Sequence, residues 1–378
     1  MTPKERIKAV LNFREPDRIP VIIGVSNATG IKMETYRNLK ELLEIESEDR
    51  YLYDWPELGT ALPDEAVLAH LNCDVRGVWD RFPEEVYQRN RNRDAHANYI
   101  DDWGSGAREI APGEWFPGIH PLADATTIQE LEKYPGWPDM DDPYRVSHVK
   151  KAASAINNSS QYSVMATPWL LFPFERAFAM QGLDKFLFNM ARYPDFSKAL
   201  LKKHLELCKT LMGHFLDELG DSVDIIKIGD DLGTQKSLLI SPTMYRNIIK
   251  PVHAEFIAFI KERTKAKVFF HSDGDIFSLI EDFIEIGVDI LNPIQTSAGK
   301  MSDLPLLKEK YGGRIVFCGG IDTQKILPFG TPKDVKKEVK RVSEILGEGG
   351  GYILASVHTI MNDVPAENIL AMVQAVEN

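Results

Sequence analysis

The chain has 378 residues, 44% of them hydrophobic and 26% charged, which is enough apolar material for a large core. A formal net charge of -12 excludes the basic face that a nucleic-acid binder needs. The three cysteines, Cys73, Cys208 and Cys318, are odd in number and far apart, so no disulfide framework is expected. No run approaches the roughly 18 apolar residues of a membrane span, and the opening MTPKERIKAVLNFREPDRIP lacks the apolar stretch of a secretory signal. The expectation is a soluble, cytoplasmic protein.

In chain order, eight short apolar runs predict strands: IPVIIG (19–24), DVRGVW (74–79), YSVMATP (162–168), DIIKIGDD (224–231), KVFFHSDG (267–274), VDILNP (288–293), RIVFCGG (314–320) and GYILASVH (351–358). Near-continuous apolar runs suit parallel strands buried on both faces. Helical patterns separate them. SPTMYRNIIKPVHAEFIAFIKERT opens on a Ser cap with Pro in its first turn. TPKDVKKEVKRVSEILGEGGG opens on Thr-Pro, carries Val335, Val339, Val342 and Leu346 on one face, and ends in glycines. Eight such units predict an α/β fold, a (β/α)8 TIM barrel forming one domain over residues 1–378. Residues 81–125 break the alternation. They predict a β-hairpin-like insertion after the second strand that covers the barrel mouth, with Arg89, Arg91 and Arg93 alternating along an exposed strand edge.

Active sites in these barrels lie at the C-terminal strand ends. Here those ends carry Asp80, then Asp230 and Asp231, His271 and Asp273, Asn292 and Gln295, Cys318 with Asp322 beyond it, and His358. Two imidazoles with carboxylates and a thiol suit Zn²⁺, whose catalytic sites take about three protein ligands and keep one position open. His271, Asp273 and His358 form such a set, with Cys318 or Asp231 as replacements. The same residues without a metal make an acid/base site. Plainer structural roles compete: Asp273 before Gly274 suits a helix cap, Asp231-Leu-Gly a turn, and Cys318 a small buried side chain. Trp55, Trp79, Trp103, Trp115 and Trp169 suit either a pocket wall or core.

Long segments of the chain are similar, in order, to the uroporphyrinogen decarboxylase superfamily. They are TPKERIKAVLNFREPDRIPV, GDDLGTQKSLLISPTMYRNIIKP, HSDGDIFSLIEDFIEIGVDILNPIQ, GGIDTQKILPFGTPKDV and GGGYILASVHTIMNDVPAENILAMV. That superfamily includes the porphyrinogen decarboxylase and the cobalamin- and corrinoid-dependent methyltransferases, and the resemblance implies a TIM barrel. Those methyltransferases typically bind zinc through His-x-Cys and a later Cys. His271 matches the first ligand, Asp273 stands at the first Cys position, and His358 stands at or next to the second. The decarboxylase's active-site His matches His358, and its substrate-binding Asp falls near Asp80. Its paired arginines after the first strand have no match in IIGVSNATGIKMETYR, and its active-site Tyr falls near Phe174.

The resemblance therefore implies a methyltransferase with a zinc site of His271, Asp273 and His358, and Cys318 as a candidate fourth ligand. It would move a methyl group between a small methylated compound, such as a methoxyaryl, and a corrinoid supplied by a partner protein. Asp231, His358 and Asp80 are its expected catalytic residues. Gln295, Trp169, Asp230 and Asn292 are its expected substrate contacts. The alternatives are a metal-free decarboxylase using Asp80 or Asp231 and His358, or a non-catalytic barrel that carries a tetrapyrrole or corrinoid.

Overall fold

Seven parallel strands follow one another around a curled sheet in the computed structural model, which describes residues 1–92, 98–111, 114–158, 161–169 and 173–377. In chain order the ten strands are β1 (Val75–Val78), β2 (Tyr99–Ile100), β3 (Gly106–Ala111), β4 (Glu114–Ile119), β5 (Ser163–Ala166), β6 (Ile225–Gly229), β7 (Lys267–His271), β8 (Ile290–Ile294), β9 (Val316–Ile321) and β10 (Tyr352–Ser356). The curled sheet runs β1-β5-β6-β7-β8-β9-β10, every pair parallel.

The first predicted strand, 19–24, contracts to a bridge at Val21. That residue pairs in parallel with both Cys73 and Leu354, joining the two edges of the sheet. Its neighbours explain the contraction. Pro20 has no N–H to donate, although its carbonyl accepts from Leu354, and Gly24 turns the chain away at φ +74°. The other seven predicted strands are present and shorter overall, although β8 and β9 each run one residue past the predicted C-terminal end. One apolar cluster, reaching from Ile7 to Val376, fills the barrel and the space beneath its helices.

Helix signals read from the sequence hold. Ser241 accepts from the Met244 N–H, and Thr331 forms a reciprocal cap with Asp334 at the start of Pro332–Gly347. Val335, Val339, Val342 and Leu346 are the buried face of that helix. The helix after Ser241 contains one wide turn, Tyr245–Ile249, just before Pro251. Proline cannot donate into a regular ladder, and a wide turn absorbs the missing bond.

The insertion departs from a simple hairpin. A helix, Glu84–Arg91, comes first, and β2, β3 and β4 then form an antiparallel sheet of their own. Arg89 and Arg91 therefore lie on a helix rather than a strand edge, and Arg89 donates to the carbonyls of Ile100 and Asp101. Arg93 lies outside the described residues. Two buried ion pairs, Arg176 with Asp101 (2.7 Å) and Arg145 with Asp102, tether the insertion to the barrel. Trp103 is core, with the Arg176 guanidinium 4.6 Å from its ring centroid. Tyr99 stacks on Trp55 at 4.8 Å, and Trp55 meets Trp169 edge-on at 5.0 Å, which carries the insertion to the mouth.

Candidate metal centre at the barrel mouth

Two loops build the centre by interlocking. Residues 231–234 follow β6 and residues 272–275 follow β7. Asp273 N–H donates to Asp231 Oδ1 (2.9 Å), Leu232 N–H to Ser272 Oγ (3.1 Å), and Asp275 N–H to the Thr234 carbonyl (2.8 Å). The backbones approach so closely that a Cβ on Gly274 would stand 2.4 Å from the Gly233 carbonyl carbon, and one on Gly233 would stand 2.7 Å from the Asp273 carbonyl oxygen. Only glycine admits that contact. It presents Asp273 at the mouth beside His271.

The His271, Asp273 and His358 side chains converge there, each offering a ligand atom within 4.8 Å of the other two. Asp273 Oδ2 lies 3.9 Å from His271 Nε2 and 3.8 Å from His358 Nε2. Asp231 Oδ1 is 4.0 Å from the same His271 nitrogen. On the far edge of the His271 ring, Nδ1–H donates to Asn292 Oδ1 at 2.7 Å, while the Asn292 amide donates to the Cys318 carbonyl at 3.4 Å. That chain fixes the tautomer and leaves the Nε2 lone pair facing the carboxylates.

Electrostatics agree with the geometry. Burial pushes His271 down to about 3, with Lys227 adding to the effect. Desolvation in the mouth and then repulsion from His271 hold His358 at about 4. Burial and the neighbouring Asp231 charge raise the Asp273 carboxyl well above the usual carboxylate range. Both rings are thus unprotonated at neutral pH, as a metal ligand must be. Asp273 Oδ1 is buried with no hydrogen-bond partner among the described residues, although buried carboxylate oxygens are normally satisfied.

This donor set fits a zinc-class cation. Two imidazoles and one carboxylate are three suitable ligands, and a divalent charge would relieve both the orphaned oxygen and the crowded acids. Ligands on tetrahedral zinc lie about 3.3 Å apart, so the two contacts of Asp273 with the imidazoles would shorten by about half an ångström and the two imidazoles would draw together as well.

The other expected site residues divide. Asp230 faces away from the mouth: its oxygens accept from the Phe174 N–H (3.1 Å), the Glu175 N–H (2.7 Å) and His253 Nε2 (2.8 Å), and it is fully buried. It caps the helix Pro173–Gln181 and is corrected from substrate contact to structural anchor; adjacent residues at a strand end point to opposite sides. Phe174 is likewise buried core. Asn292 is fully buried behind His271, and so orients a ligand rather than meeting substrate. Gln295 is buried and accepts from the Gly274 N–H at 2.6 Å, supporting the loop. Cys318 falls outside the ligand trio. Its thiol is fully buried beside Asn292, and burial raises it beyond ionisation at neutral pH. Asp322 caps the turn that follows it.

Asp80 is buried, accepts from the Trp169 N–H at 2.6 Å, and is pushed up to about 6 by burial. Trp169 packs on Tyr53 at 5.1 Å, and Tyr53 also meets Trp79 edge-on at 6.1 Å, so these rings form an aromatic wall. Sequence reading missed two groups. Glu175 Oε1 accepts from the Asp231 N–H (2.7 Å), and its carboxyl is raised well above normal by burial and by Asp231. Lys227 is buried within β6 and donates to Asn27 Oδ1 at 2.9 Å. The signal for Lys227 was present: it is the one charge inside the run IIKIG, in phase with Asp231 on a period of two.

The family model described as uroporphyrinogen decarboxylase (URO-D) matches residues 110–378. A uroporphyrinogen decarboxylase of Coxiella burnetii (strain RSA 493 / Nine Mile phase I) is 23% identical over 221 residues, 56% of either chain. The chain thus spans little more than half the length of that curated relative. Another from Legionella pneumophila (strain Corby) is 24% identical over 274 residues, 71% of this chain and 72% of that one. Among solved structures, a methyltransferase from Methanosarcina mazei shares the fold with a TM-score of 0.66 at 19% identity. That match covers 99% of this chain and 98% of the other.

Proposed function

We propose that this chain, which belongs to the uroporphyrinogen decarboxylase (URO-D) family, is a metal-dependent methyltransferase. It moves a methyl group between a small methylated compound, such as a methoxyaryl, and a corrinoid held by a separate protein. The observation that carries this reading is the His271, Asp273 and His358 trio, with one ring nitrogen freed by Asn292 and one Asp273 oxygen left without a partner. The end-to-end likeness to a methyltransferase supports it.

His271, Asp273 and His358 would hold the ion. When bound, Zn²⁺ would supply Lewis acidity toward the oxygen from which the methyl group departs. Asn292 keeps the His271 ring in one tautomer and orientation. Asp231 clamps the Asp273 backbone through Oδ1, and its carboxylate, 4.0 Å from His271, is placed to accept a proton from a bound substrate hydroxyl. Trp169, half-buried and packed on the buried Tyr53, offers a flat apolar face to an aromatic substrate, and Asp80 fixes the Trp169 backbone.

Elemental analysis of protein purified without chelator or affinity metal tests this reading, on wild type and His271→Ala. Near-stoichiometric zinc that is lost in the variant is expected, followed by demethylation of methoxyaryl compounds only when a corrinoid protein is added. Wild type that stays metal-free after added zinc would overturn the proposal. A metal-free decarboxylase would then move ahead, with His358 handling the proton and Asp80 or Asp231 opposing a substrate cation; the names of the 23–24% identical relatives favour that second reading.

A further inference from the structure

Lys227 occupies an uncommon position. Its side chain projects from the middle of β6 toward the mouth, on the same strand phase as Asp231, and it is buried. An ammonium carries three donors. The one hydrogen bond it makes among the described residues goes to the neutral amide oxygen of Asn27, at 2.9 Å. It forms no ion pair with any carboxylate among those residues. Glu175 and Asp231 act on its charge through space, while Glu175 Oε1 holds the Asp231 N–H and Asp231 Oδ1 holds the Asp273 N–H.

A buried cation without an anion is costly, and native structures usually pair it. Lys227 has acids acting on it through space but no direct ion pair among the described residues, and neutral groups hold it in place. Tyr53 Oη reaches Asn27 Oδ1 at 3.5 Å, and Thr359 Oγ1 donates to the Asn27 carbonyl, so the loop after the first strand is fixed against Lys227. Tyr53 also begins the aromatic wall that continues to Trp79 and Trp169. Lys227 is the partner of Phe269 across β6 and β7, two residues before Gly229 meets His271, which sets the charge one strand phase below the candidate metal trio.

We infer that Lys227 is the anion-binding residue of this site, and that the substrate enters with an oxyanion, a carboxylate or phenolate carried on an aromatic ring, that pairs with its ammonium. The inference rests on the proposed reading of the mouth as the substrate site and adds the substrate's charge. The ring lies along Trp169 while the anionic oxygen takes the donors that Asn27 leaves open. Binding supplies the direct charge-assisted contact that the fold leaves unmade.

Calorimetric titration of 4-methoxybenzoate and of its neutral analogue 4-methoxybenzamide tests this, with zinc measured on every sample. Wild type is expected to bind the carboxylate about tenfold or more tightly than the amide, as one charge-assisted contact predicts. In Lys227→Met the preference vanishes while amide binding stays within about twofold, and the thermal midpoint is unchanged or higher, because an unpaired buried charge has been removed. Lys227→Arg keeps most of the preference. The inference is overturned if wild type fails to bind the carboxylate or binds both probes equally. It is also overturned if Lys227→Met retains the preference, which would assign the anion to the metal, or unfolds and loses both probes alike, which would make Lys227 structural. Zinc-replete wild type without the preference sinks this inference and leaves the metal reading intact. A preference that depends on Lys227 in zinc-free protein does the reverse.

Discussion

Gly229 lies directly against His271: a Cβ at position 229 would stand 2.6 Å from the His271 carbonyl oxygen and 2.8 Å from its Cβ. The two residues are partners across β6 and β7, and the missing side chain on one strand is the space that the imidazole's backbone occupies on the next. The glycine that ends β6 thus belongs to the candidate metal centre as much as the histidine does.

Gly229→Ala should therefore push His271 off its line with Asn292. We expect a loss of about 1–3 kcal/mol in stability from overpacking, and weaker zinc retention. Urea unfolding together with metal analysis of the same preparation checks both. An alanine variant with wild-type stability and zinc content would show that the strands yield freely at this point.

Asn292→Ala removes the acceptor of His271 Nδ1–H and frees the ring to rotate and change tautomer. Zinc affinity is expected to fall by about 10–100-fold, the usual effect of losing such a partner, with secondary structure intact. Competition with a chromophoric chelator measures this directly.

Cys318→Ala should leave zinc content unchanged, since the buried thiol lies outside the ligand trio. A stability loss of about 1 kcal/mol is expected from the small void. Loss of zinc in this variant would restore Cys318 as a ligand.

Asp230→Ala deprives the Phe174 and Glu175 N–H groups and His253 of their shared acceptor. About 3 kcal/mol of stability should be lost, because the partners stay buried. Zinc content of the folded fraction should hold, whereas Asp273→Ala should lose zinc with a smaller change in unfolding midpoint.

His204 supplies a pH test far from the metal. It is fully buried between Trp103 and Trp137, and burial lowers it from 6.5 to about 3. The unfolded chain therefore binds a proton between those values that the folded protein refuses, so its contribution to stability falls as pH drops below 6.5. The slope is up to about 1.4 kcal/mol per pH unit, and there is none above 6.5. Urea midpoints at pH 7 and pH 5 should differ less in His204→Gln than in wild type. Equal differences would mean that His204 titrates normally.

What could be read from the chain alone was whatever periodicity and local chemistry encode. Buried parallel strands must be apolar on both faces, so eight runs announced the barrel, and the Thr331–Asp334 and Ser241 caps announced two helices through side chains that satisfy their own first turns. Strand ends collect functional groups in this architecture, which brought His271, Asp273 and His358 into one list. Tertiary structure alone decided how that list was sorted. Asp230 and Asp231 are neighbours with the same chemistry, yet one anchors a helix and the other faces the mouth, because successive residues leave a strand on opposite sides and only packing says which side is inward. Asn292 became the support of His271 and Cys318 a buried neighbour through contacts between strands that no local pattern records. Lys227 was visible as a lone charge in an apolar run. Its position beside the metal trio and the absence of an ion pair to it among the described residues follow from barrel closure, which brings distant strands to one axis.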